Sequence, residues 1–184
     1  MANTGFIAAG SGANDASLGD VAWSNPTAIL TDNGSRATSA LAVGQSTQHL
    51  DSSSHGIAIP AGATIDGIVV RIQKQTGVAS STVKDVTVQL LKAGVATGDN
   101  KADTSTDWPN GDVDVDHGGA ADLWGTTWTE SDIEDSGFGV RVRAVNNHGS
   151  SSRTPKVDIV SIDVYYTEAG GAASPQRSLL GVGT

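Results

Sequence analysis

The chain has 184 residues, no cysteine and a formal net charge of −9 at neutral pH. That length suits one domain with a sizeable core, the lack of thiols excludes disulfide staples and thiolate chemistry, and the acidic field repels a phosphate backbone, so nucleic acid is not an expected partner. No stretch approaches the roughly 20 apolar residues of a membrane helix, and no membrane partner is expected.

Residues 1–19 are small and polar, with Gly5, Gly10, Gly12 and Gly19, and read as a flexible N-terminal arm. MANTGFIAAGSGANDAS has neither the basic start nor the apolar centre of a secretion leader. Period-two alternation then dominates from 20 to 168, the expected domain. RATSALAV (36–43) predicts a weak strand with Leu41 and Val43 on one face, and Ile57 and Ile59 alternate before Pro60. TIDGIVVRIQKQ places Ile68, Val70 and Ile72 on one face; VKDVTVQLLKAG places Val86, Val88 and Leu90 together. A polar loop, GDNKADTSTDWPNG, carries Asp99, Asp103 and Asp107 and ends beside Trp108.

Asp112, Asp114 and Asp116 follow at every second position, with His117 adjacent. On a strand they project to one side. The spacing is open to two readings, a weak Ca²⁺ site built from hard oxygen ligands or a solvated acidic edge that discourages wrong strand pairing. The calcium-loop pattern fails at two places, because His117 replaces the required glycine and Leu123 stands where a bidentate glutamate belongs. No metal or other cofactor is expected.

In ADLWGTTWTESDIEDSGFGVRVRAV (121–145), Trp124 and Trp128 stand four residues apart. Thr129 can cap a short helical turn through Asp132 and Ile133. The following strand puts Phe138, Val140, Val142 and Ala144 on one face and Arg141 and Arg143 on the other. The tryptophans either plug an open end of the core or form an exposed aromatic platform. Aromatic residues make up only 4% of the chain, which favours the plug. The last strand, KVDIVSIDVYY, aligns Val160, Ile162, Val164 and Tyr166. Arg141, Arg143, Arg153 and Lys156, with Arg71, read either as wet strand faces or as a positive stripe for a subunit contact. Residues 169–184 form a Gly/Ala/Ser/Pro linker followed by an apolar tip at Leu179, Leu180 and Val182.

Several short alternating runs punctuated by Asp32-Asn33-Gly34, Pro60-Ala61-Gly62, Lys92-Ala93-Gly94 and Asn146-Asn147-His148-Gly149 predict an all-β fold, a jelly-roll-like antiparallel β-sandwich with flexible arms at both ends. No G-x-S-x-G elbow and no phosphate-binding glycine loop is present, so an enzyme is not expected.

The strings DVAWSNPTAILTDNGSRAT, IPAGATIDGIVVRI, DLWGTTWTESDIEDSGFGVRVRA and VDIVSIDVYYTE resemble a β-sandwich module of tailed-bacteriophage structural proteins, over residues 20–168. The resemblance implies a non-enzymatic virion protein of jelly-roll type, most like a capsid decoration or cement protein on the capsid exterior, present in the host cytoplasm during assembly. It also implies as partners the major capsid protein and copies of the chain itself, with a homotrimer the expected oligomer. On that reading Phe6 and Ile7, Arg141 and Arg143, and Leu179, Leu180 and Val182 make the contacts. The competing expectations are a tail, fibre or collar component, or a carbohydrate-binding module in which Trp108, Trp124 or Trp128 stacks on sugar rings.

Overall fold

The computed structural model describes residues 1–170. Two antiparallel sheets face one another as a β-sandwich. Strand β1 is Ala2–Asn3, β2 Ile7–Ala8, β3 Ser11–Asp15, β4 Ala37–Thr38, β5 His49–Ser53, β6 Thr64–Gln75, β7 Val83–Lys92, β8 Val95–Thr97, β9 Val113–Gly119, β10 Gly139–Asn146 and β11 Lys156–Thr167. One sheet runs β1-β11-β6-β9, with β2 and β4 also paired to β11; the other runs β3-β5-β10-β7-β8.

The three long alternating segments form strands as their patterns require. Ile68, Val70 and Ile72 of β6 lie beside Val164, Ile162 and Val160 of the paired strand β11, and together they face Val140, Val142 and Ala144 of β10 across one core, all 1% exposed or less. Alternation buries one face of each strand, and each enclosed Val or Ile contributes about 1.5–3 kcal/mol by area.

Residues 1–19 are not an arm. β1 pairs with Tyr165 and Tyr166, and β2 with Ser161 and Ile162. The amide of Ala9 then donates to Val160 in one sheet and that of Gly10 to Ser53 in the other. From there β3 pairs along β5. The N-terminal segment therefore crosses from sheet to sheet and fastens both. With β4, and with the bridge between Leu30 and Ile159, it covers the edge of β11 opposite β6. Such tiling satisfies backbone groups that a bare edge would leave open.

Two further expectations are corrected. In 36–43 only Ala37–Thr38 is strand; Leu41 is fully buried, whereas Val43 turns outward at 48% exposure because the chain bends at Ala42–Gln45. In β7 the pairing register slips beside Val86, where Thr87 pairs with Arg143 and Asp85 with Ala144. This bulge puts Val86 on the outer side and turns Asp85 into the core.

Candidate functional site

The tryptophans Trp23, Trp108, Trp124 and Trp128 are 2%, 3%, 0% and 7% exposed. Each indole N–H donates to an interior acceptor: Trp23 to the carbonyl of Gln48 at 2.9 Å, Trp108 to Asp85 Oδ1 at 2.7 Å, Trp124 to the carbonyl of Ile68 at 2.9 Å and Trp128 to that of Leu123 at 3.0 Å. Trp128 also meets Phe138 edge-on at 5.5 Å. The short helix α1, Glu130–Glu134, closes this end of the sandwich. A reciprocal capping box starts it, with Asp132 N donating to Thr129 Oγ1 and Thr129 N to Asp132 Oδ2. Glu130 and Glu134 accept from the amides of Gly62 and Ile59, tying down the neighbouring loop. Trp108, Trp124 and Trp128 thus present no open ring face on which a sugar could stack.

Asp114 and Asp116 lie on the edge strand β9 and Asp112 just ahead of it. Their carboxylates meet Arg71, Gln73 and Gln75 of the adjoining strand β6, joined at Asp112 by Arg36 from elsewhere in the chain. Arg71 donates to both oxygens of Asp116 at 2.7 and 2.8 Å, Gln73 donates to Asp114, and Asp112 accepts from Arg36 and Gln75. The Arg36 guanidinium holds the Asp112 carboxyl below its ordinary pKa. No cluster of three or more metal-ligating side chains occurs among the described residues. His117 sits on the opposite face of β9, in the interior.

Arg141 and Arg71 lie on the outer faces of different sheets, so the stripe that was to join them does not form. Arg141 is committed within the chain: it bonds both oxygens of Asp51 at 2.8 and 2.6 Å and also Asp15, tying β10 to β5 and β3. Arg143 follows on the same face, its Nε buried without a hydrogen-bond partner among the described residues. Phe6 is 39% exposed and lies under the Arg71 guanidinium at 3.9 Å, while Ile7 packs against the core. Leu179, Leu180 and Val182 lie outside the described residues.

The polar loop 98–111 does not stand free. Lys101 N donates to Val88 and Trp108 N to Val83, and Asn100 bonds both ways to β7, so the loop lines the edge of β7 that β8 leaves uncovered. Ser52 and His55 are 3.1 Å apart, and His55 Nδ1 is 3.0 Å from the carbonyl of Ile7. This has the spacing of a nucleophile and base. However, Ser52 is 1% exposed and its oxygen also takes the amide proton of Val140, so the pair fastens β2 and β10 to the turn after β5.

One interior cluster is chemically unlike the rest. Lys74 continues the inward face of β6, and its Nζ lies 2.8 Å from both Asp85 oxygens across the sandwich. Trp108 donates to Asp85 Oδ1, and the amide of Asp103 to Oδ2 at 3.3 Å. His117 Nδ1 is 3.0 Å from the carbonyl of Lys101, which assigns the ring proton to that nitrogen. His117 Nε2 then carries a lone pair; it is buried without a hydrogen-bond partner among the described residues, 3.9 Å from Asp85 Oδ2. Burial, reinforced by the Lys74 ammonium, pushes the His117 pKa down. A cavity of about 200 Å³ adjoins the cluster, lined by Lys74, Asp103, Trp108, Pro109, Val113 and Val115 among others. Sequence reasoning missed this group. Its signal was parity: Lys74 falls in step with Ile68, Val70 and Ile72, a charge on an apolar face.

No protein-family model, curated protein or solved structure matches the chain.

Proposed function

We propose that the chain is a non-enzymatic structural component of a tailed-bacteriophage virion: a decoration protein on the capsid exterior that bridges neighbouring shell subunits. The observation that supports this reading is the inward placement of the side chains that could carry chemistry. The indoles, the Ser52–His55 pair and the Lys74–Asp85 cluster all point inside, and the charged rows on the outer faces are largely paired. What remains for the outside is a rigid body, with Ala169 lying against Gly62, the loop residue that α1 ties down. The four sequence strings add the phage resemblance. The sugar-stacking alternative loses support with the burial of its tryptophans.

In this role the protein binds the assembled shell better than free subunits, and mass action then shifts assembly forward. Copies of the chain associate as a trimer at threefold positions, with the apolar tip Leu179, Leu180 and Val182 docking on a neighbour. The experiment is co-sedimentation of the purified chain with tail-less phage heads and, separately, with isolated tails. Saturable binding to tail-less heads is expected. Binding to isolated tails and not to heads would move the protein to the tail or collar.

A further inference from the structure

We propose that Lys74 and Asp85 join in an intramolecular amide, formed by the folded chain on itself, which links β6 of one sheet covalently to β7 of the other. The inference does not depend on the proposed function.

The reacting groups are already enclosed together. Lys74 is 4% and Asp85 1% exposed, and Nζ touches both carboxylate oxygens. Fixing two reactants in contact converts a bimolecular condensation into a unimolecular one. A neutral amide in that enclosed position also avoids the desolvation cost that two ions removed from water carry.

The step balances without any other reagent. One proton passes from the ammonium to the carboxylate, giving an amine and a carboxylic acid. A torsional shift of the Lys74 side chain brings Nζ over the face of the carboxyl group, whose oxygens stay where their neighbours hold them, and its lone pair attacks the carbonyl carbon. Negative charge then develops on Oδ1, to which the Trp108 indole N–H already donates at 2.7 Å. A preplaced donor at the site of a developing oxyanion lowers the barrier. The nitrogen loses a proton and Oδ2, already bearing one, gains it. The C–Oδ2 bond breaks, one water leaves, and the C=O bond re-forms. His117 Nε2, without a hydrogen-bond partner among the described residues and 3.9 Å from Oδ2, is the neighbouring base that takes the proton from nitrogen and returns it to oxygen as the groups close up. The adjoining cavity, which Lys74 itself lines, gives the water a way out.

Intact-mass measurement of the full chain under denaturing conditions tests this. The expected mass, allowing for the initiator methionine, is one water below that of the sequence, and digestion yields a branched peptide joining the Lys74 and Asp85 segments. Lys74→Arg keeps the positive charge but cannot form the amide, and should show the full mass whether or not it folds well. In His117→Gln the water loss should appear more slowly. Wild-type protein still at full mass after prolonged incubation would overturn the proposal. So would a water loss that fragmentation assigns elsewhere, for instance to an imide at Asp66-Gly67.

Discussion

Trp124 rests against Gly118 so closely that a Cβ on the glycine would lie 2.6 Å from the indole Nε1 and 2.4 Å from the carbonyl oxygen of Ile68. Gly118 also has a φ of +84°, outside the range side chains favour. The indole and the β6 backbone thus occupy space that only glycine on β9 leaves open. Gly118→Ala is expected to destabilise the fold by about 2 kcal/mol or more through strain and overpacking, read as a lower urea midpoint. Gly34→Ala gives the comparison: its φ is +77°, but nothing lies near its Cβ position, so its loss should be smaller.

The burial of all four indoles predicts blue-shifted tryptophan emission that resists quenching by iodide. Simple sugars should leave the spectrum unchanged. Trp128→Ala removes the edge contact to Phe138 and is expected to cost about 3–5 kcal/mol, measured by denaturant unfolding. Red-shifted emission that moves on adding a sugar would contradict this account of the α1 end.

Deleting residues 1–15 should destabilise the protein strongly, because it removes three strands and opens edges on both sheets. A flexible arm would be lost without effect. Hydrogen exchange offers a direct check. The amides of Ser161–Val164 and of Leu50–Ser53 should exchange faster in the truncated chain, and soluble aggregates are expected from the bared edges.

Long alternation made β6, β10 and β11 readable, since a run of eight or more residues leaves little ambiguity about which face is inside. The Thr129 cap was readable because its partner, Asp132, is local. The N-terminal strands were not. β1 and β2 have two residues each, too few to show a period, and they are strand only because β11 offers a partner more than 150 positions away. Asp85 was hidden by the bulge at Val86, which reverses parity in the middle of β7. The arginine stripe failed because closeness in sequence says nothing about which sheet a strand joins. The interior cluster needed both sheets: Lys74 and His117 come from one, Asp85 from the other.

His49, His55 and His117 all have pKa values pushed below the ordinary 6.5, chiefly by burial. For each of them the unfolded chain binds more protons than the folded one between the depressed value and 6.5. Their contribution to stability is therefore fully present above about pH 7.5 and declines as pH falls through 6.5. Urea midpoints measured from pH 8 to pH 5 should decrease, and His55→Gln should flatten part of that slope. A midpoint independent of pH across this window would contradict the buried neutral rings.

In the proposed decoration role the sandwich is an inert body whose binding strengthens an assembled shell. The most direct measurement is the temperature at which tail-less particles come apart, with and without added protein. A saturable rise in that temperature, lost when residues 169–184 are removed from a chain that still folds, is the predicted result. Particles that come apart at the same temperature with the protein bound or absent would contradict it.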